Sequence, residues 1–366
     1  MNSSCLKKIE HFEWNSLSCM DRAILYATEE LKKNSLVSFI LLRYHFTEYL
    51  RKWKKIGRCD WSYYKELLET IGIEIELQEC RHNELEDIAR KMLDGNSKIV
   101  CAVDNFYQEG SNYYGIIHHP HFICISDYSS GAFKAFDEDY TGEFWKKENF
   151  SKGIKYIPKE ITSKKLKELA NTRCLFNGTS DCTFYKITKK ENDLDVLAIA
   201  CDSYLHQLNY MVNNADNEQT FLLGQISTFQ SQQEKYHKMY FDIFAKGLNV
   251  TDDKVKSDLK KLIKYPEGWC YAESRMKHIS SQLRFFEQCD CDSQPISLFV
   301  NQLSELLRMF GELELQIAKQ VATGKKTEYE NAVKIFEQIY AQEIEAYRGA
   351  IAQYDCFRKA IHAFCK

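Results

Sequence analysis

The spacing of apolar and polar residues changes character along the chain. From Cys19 to Lys32, and again from Ser35 to Lys52, apolar residues recur at helical spacing, and 61–71 reads as a third helix. The period then shortens. Gly72-Ile-Glu-Ile-Glu-Leu-Gln78 alternates as a half-buried strand does, and Lys98-Ile-Val-Cys-Ala-Val103 is a short apolar run suited to a buried strand. Between His121 and Asp137, two apolar runs joined by Asp127-Tyr-Ser-Ser-Gly131 predict a β-hairpin, and Gly153-Ile-Lys-Tyr-Ile157 predicts a further strand. Beyond about residue 162 the texture is helical again, over 192–213, 217–247, 271–288, 295–323 and 326–364, with breaks near Pro266-Glu-Gly-Trp269 and Pro295. Loops are expected around Asn249-Val-Thr-Asp252 and from Cys289 to Pro295. The pattern predicts an α+β chain, with helices and a mostly antiparallel sheet in 1–160 followed by an α-helical bundle in 161–366.

At 366 residues the chain suits two domains, each large enough to bury a core without staples. Its net charge of -3 gives no overall pull toward nucleic acid or membrane, and no run of about 18 apolar residues predicts a span. Basic clusters at Arg51-Lys-Trp-Lys-Lys55 and across 254–264 alternate with apolar residues, as solvated helix faces do, and would also suit an acidic protein partner. The 14 cysteines are not spaced as a disulfide framework: Cys101, Cys124 and Cys201 lie inside apolar runs. With no signal-peptide pattern at the start, a reducing cytoplasm is the expected setting, with most thiols packed as small hydrophobes.

The chemistry concentrates in the first half. Cys19 stands at the front of a helical pattern and follows the cap-rich Asn15-Ser-Leu-Ser18, so it is placed where a helix N-terminus favours a thiolate. The hairpin puts His121 at the start of one strand and Asp137 at the end of the next, where a carboxylate can accept the imidazole N–H and fix its tautomer. His118 and His119 compete with His121, but Pro120 disfavours helix before it and cannot donate to a ladder, so the strand is expected to begin at His121. Asp137 ends the apolar strand Ala132–Phe136 and is the preferred carboxylate; Asp139, on the same face by alternation, is the fallback. Cys289-Asp-Cys-Asp292 and the three histidines lack a second ligand pair at zinc spacing, so no metal is expected. Neither a phosphate loop, a GxGxxG nor a GxSxG motif occurs.

Cys19, His121 and Asp137, in that order, resemble the papain-like cysteine proteases of the C39 type, whose pattern is an N-terminal Cys on a helix and a later His-strand-turn-strand-Asp. More closely, Val103-Asp-Asn-Phe-Tyr107, His121-Phe-Ile-Cys-Ile-Ser-Asp-Tyr128 and Phe136-Asp137 resemble the N-terminal domain of the butirosin biosynthesis protein H family, over roughly residues 8–160. The chain is similar in the same way to papain-like amide synthases that act on carrier-bound chains. The resemblance implies a papain-like fold and an acyltransferase: Cys19 takes an acyl group from the phosphopantetheine thioester of an acyl or peptidyl carrier protein, and a small amine resolves the acyl-enzyme to an amide. It implies no cofactor beyond the carrier's own phosphopantetheine. The chain departs from the C39 pattern at the oxyanion donor, a Gln six residues before the Cys, where Glu13 stands here. Asn15, with the Cys19 backbone N–H, is the alternative donor. Two other readings stay open, a cysteine peptidase that cleaves a leader peptide and a non-catalytic papain-like scaffold.

Overall fold

The computed structural model describes residues 17–42, 61–93, 97–111, 113–116, 118–138, 156–172, 181–190, 194–214, 269–289, 293–323 and 326–365. In chain order the elements are α1 (Cys19–Leu31), α2 (Ser35–Leu42), α3 (Trp61–Thr70), β1 (Ile73–Cys80), α4 (Leu85–Met92), β2 (Ser97–Asp104), a 3-10 turn (Asn105–Tyr107), β3 (Pro120–Ser129), β4 (Ala132–Glu138), β5 (Tyr156–Thr162), α5 (Ser163–Leu169) and β6 (Cys182–Lys189). Then come α6 (Val196–Asn213), α7 (Trp269–Gln288), α8 (Gln294–Thr323), α9 (Lys326–Ala352) and α10 (Tyr354–Cys365). The fold is mixed α+β, with one antiparallel six-stranded sheet.

The described residues within 1–39 and 59–196 belong to one compact unit, and those within 40–58, 197–255 and 264–366 to a second. The expected division after residue 160 therefore moves. That position lies inside β5, and the chain returns once more to the sheet as β6 before the helices begin. In the order β1-β6-β2-β3-β4-β5, β6 sits between β1 and β2, so the sheet is closed up only when residues 182–189 are added. Its sequence, Cys182-Thr-Phe-Tyr-Lys-Ile-Thr-Lys189, is rich in β-branched and aromatic residues, which pack well on a pleated surface and mark a strand within the stretch expected to be helical. The expected helix 326–364 is two helices, parted by a turn at Gln353. The expected helix at 217–247 lies outside the described residues.

One face of the sheet is covered by α4 and α5. Leu85, Ala89 and Met92 of α4 and Leu166 and Leu169 of α5 pack on Ile99, Cys101, Val103, Ile123, Ile125, Phe133 and Ala135. Helix α1 packs on β2, β3, β4 and β6, with Tyr26 stacked on Phe136 at 5.4 Å between ring centroids. It is buried nearly all round, including Met20, Ala23, Ile24, Leu25 and Ala27, as befits a helix inside a core rather than on its surface. Each fully buried aliphatic or aromatic side chain of this kind contributes about 1.5–3 kcal/mol, so α1 and its first residue are held firmly. In the second unit every described element is a helix. Its core is aromatic, with Phe286 set edge-on to Phe285, Phe299 and Phe357. Among the described residues, no helix is long and apolar enough to cross a membrane.

Candidate active site

Cys19 is the first residue of α1, and the chain just before it fixes it there. The Ser18 hydroxyl accepts the Asp21 N–H at 3.1 Å while the Asp21 carboxylate accepts the Ser18 N–H at 2.7 Å, a reciprocal capping box. Tyr64 of α3 donates to the other Asp21 oxygen at 2.8 Å, which ties the helix start to the rest of the unit. The first donor of the helical ladder is the Arg22 N–H, bonded to the Ser18 carbonyl at 3.0 Å. The Cys19 N–H therefore has no acceptor within the helix and points out of its N-terminus. Met20 behind it is fully buried, whereas Cys19 keeps partial exposure.

His121 is the second residue of β3. The strand begins one residue earlier than expected because Pro120 occupies a register position opposite Asp104, a place at the strand's start where its missing N–H costs nothing. His121 Nε2 and Asp137 Oδ1 lie 2.8 Å apart, and both residues are almost wholly buried, at 2% and 1% exposure. The Cys19 side chain is a hydrogen-bonding neighbour of the same ring. The structure thus brings Cys19, His121 and Asp137 together.

A bulge in the hairpin makes this possible. The turn at Ser130 and Gly131 has positive φ at both residues, 53° and 82°, the two-residue geometry that matches strand twist. From that turn the pairs run Ser129 with Ala132, Tyr128 with Phe133 and Asp127 with Lys134. Then Ile125 pairs with Ala135 and Cys124 with Phe136, so Ser126 is an extra residue in β3. Without it Asp137 would face Cys124 and lie on the opposite side of the hairpin from His121. With it, Asp137 falls across from Ile123 and shares His121's side. One added residue exchanges the faces of everything beyond it.

Asp137 is saturated with donors. Besides His121, its Oδ1 accepts the Glu138 N–H at 2.7 Å, and its Oδ2 accepts from Lys159 Nζ at 2.8 Å and Gln108 Nε2 at 3.4 Å. Burial alone would raise this carboxyl, but the hydrogen bond and charge of His121, together with Lys159, hold it below the usual carboxylate range. His121 is likewise pulled down by burial, and the nearby Glu138, the Asp137 bond and the Cys19 contact overcome this and raise it well above an ordinary imidazole. Each residue therefore favours the charged form of the other.

The competing histidines do other work. His118 Nδ1 lies 2.5 Å from Asp104, and its ring stacks on Phe106 at 4.3 Å. Asp104 also accepts the Phe106 and His119 N–H groups at 3.0 and 3.1 Å, closing the loop that leads into β3. His119 stacks face to face on Tyr113 at 4.2 Å; burial, and then the charge of His121, push it down to about 4, so it stays neutral.

Gln108, Glu138 and Lys159 were not singled out from the sequence. Lys159 follows Pro158 in the edge strand β5, where nothing but the tertiary pairing of Pro158 with Phe136 and Ile157 with Asp137 reveals its role. Asn15 and Glu13, expected to bear on the oxyanion, lie outside the described residues, as do the fallback Asp139, the cluster 51–55 and Asp290, Cys291 and Asp292. Among the described residues, no group of three or more His, Cys, Asp or Glu could hold a metal ion. No protein-family model matches the chain, and no curated protein is significantly similar to it.

Proposed function

We propose that the chain is a cysteine-dependent acyltransferase with a papain-like first domain, in which Cys19 is the nucleophile, His121 the proton carrier and Asp137 its orienting carboxylate. The observation that carries this reading is the buried 2.8 Å His121–Asp137 pair with the Cys19 side chain hydrogen-bonded to the same imidazole at the start of a helix.

The Cys19 thiolate attacks the carbonyl of a thioester, and the oxyanion forms beside the Cys19 N–H, where the helix N-terminus favours negative charge. Collapse expels the donor thiolate, which takes a proton from the His121 imidazolium and leaves acyl-Cys19. Neutral His121 then removes a proton from an attacking amine, and the second collapse releases an amide and restores the thiolate and imidazolium. Asp137 stays ionised throughout. Amide formation from a thioester runs downhill, so no nucleotide is consumed. The buried His121 and Asp137 leave Cys19 as the partly open member of the three, so substrate approaches from its side. The donor that fits the sequence resemblance is an acyl or peptidyl chain on a carrier protein's phosphopantetheine, and the acceptor is a small amine. The second, helical unit is proposed to dock that carrier.

Intact-protein mass spectrometry with an acyl pantetheine thioester tests this directly. Acylation of the native chain but not of Cys19→Ala, with the adduct discharged by an amine to an amide, is the expected outcome. Cleavage of peptides with no amine transfer would move the reading to a peptidase. A folded chain inert to every thioester and peptide would leave a scaffold.

A further inference from the structure

Away from the candidate active site, two cysteines face each other across the sheet. Cys80 is the last residue of β1 and Cys182 the first of β6, and they are direct partners in the antiparallel register. Both are free thiols, at 6% and 0% exposure, and they are in side-chain hydrogen-bond contact. Directly opposed residues of an antiparallel pair have Cα atoms about 4.5 or 5.5 Å apart, and a disulfide needs Cα atoms within about 4.4–6.8 Å, so the two strands already hold the sulfurs near bonding geometry.

We propose that Cys80 and Cys182 are a modification site, a thiol pair that a small two-electron oxidant such as hydrogen peroxide converts reversibly to a disulfide without rearrangement of the sheet.

The chemistry has a direction. The Cys182 thiol donates to the Cys80 sulfur; this lowers Cys80 against the opposing effect of burial, and it raises Cys182. Cys80, the more exposed of the two, is therefore the sulfur that meets the oxidant. Its thiolate attacks one peroxide oxygen and becomes a sulfenic acid, and the hydroxide released takes up the thiol proton as water. The Cys182 sulfur then attacks the sulfenic sulfur, and the departing hydroxide leaves with the Cys182 proton as a second water. Two thiols lose two electrons and the peroxide gains them. A dithiol reductant reverses the change. Cys101 does not compete as a partner: it stands opposite Phe184 on β6, a diagonal step of about 7–8 Å from Cys182 and at or beyond the span a disulfide bridges.

The test is hydrogen peroxide treatment of the folded full-length chain, alkylation of remaining thiols, and peptide mapping. The expected result is a Cys80–Cys182 cross-linked peptide, a mass lower by two hydrogens that dithiothreitol restores, and a melting temperature several degrees higher, because the bond closes a loop of about 100 residues in the unfolded chain. In Cys182→Ser, which keeps a donor beside the Cys80 sulfur but cannot form the disulfide, Cys80 should instead be trapped by dimedone as a sulfenic acid. A cross-link that forms only in urea, a melting temperature at or below that of the reduced chain, or no dimedone adduct on Cys80 in Cys182→Ser would each overturn the proposal.

Discussion

Replacing Asp137 by Asn removes a charge while keeping shape, and the four hydrogen bonds at this carboxylate set the cost. All four partners are donors: His121 at 2.8 Å and the Glu138 N–H at 2.7 Å on one oxygen, Lys159 at 2.8 Å and Gln108 at 3.4 Å on the other. An amide has one oxygen. Keeping it toward His121 turns the NH2 into the Lys159 ammonium and the Gln108 amide; reversing it sets the NH2 against His121 and forces the imidazole into the wrong tautomer for taking the amine's proton. Lys159, at 23% side-chain exposure, can turn to water, whereas His121 at 3% cannot. We expect a stability loss of about 3 kcal/mol, the lower end for breaking a buried pair. The fall in kcat/KM should be about 10³-fold, or roughly 4 kcal/mol of transition-state stabilisation. The alkaline limb of the pH–rate profile should move down, since burial, the largest influence on His121, then meets only Glu138 and the Cys19 contact. Thioester turnover across pH and a urea titration supply the three readings. A folded Asp137→Asn chain within about threefold of native thioester turnover, with its alkaline limb unmoved, would refute this account of the site.

The same contacts lead to other expected outcomes. Ser18→Ala deletes the cap on Asp21 N–H and should cost about 1 kcal/mol in urea unfolding, with acylation of Cys19 slowed as its helix turn frays. Lys159→Met removes a cation that helps depress Asp137, so the stability this carboxylate contributes above its ordinary 3.8 should shrink and its loss on acidification should be complete at a higher pH than in the native chain, read from denaturation midpoints between about pH 2 and 5. The raised His121 contributes stability that is complete below its ordinary 6.5 and is lost as pH rises through its higher folded value. Native stability should therefore decline above pH 6.5, and His121→Gln should flatten that decline in the same titration.

Much of this arrangement was legible because local signals agreed with the tertiary outcome. The cap-rich residues before Cys19 start a helix at that residue, and the two runs around Ser130 and Gly131 form the hairpin that carries His121 and Asp137. What stayed hidden depends on pairing between distant segments. Strand β6 reads as a strand by its own residues, but its place between β1 and β2 is set by long-range register, and the helical texture around it masks it. Lys159 and Gln108 carry no local mark; each reaches Asp137 from 22 and 29 positions away in sequence. Asp104 resembles a strand-ending turn residue, and only the folded loop shows it gathering three donors.

The extra residue at Ser126 sets the phase of the hairpin. Across an unbulged two-residue turn, side chains on a common side are an odd number of positions apart, yet His121 and Asp137 are separated by 16. An even spacing with a shared side demands an odd number of bulges, so the interval itself encodes the irregularity. Length changes within this hairpin are then quantised. A chain that gained or lost one residue between the two would keep both side chains and lose the pair, whereas one that changed by two, or moved the bulge along the strand, would keep the chemistry in a sequence that no longer aligned with this one.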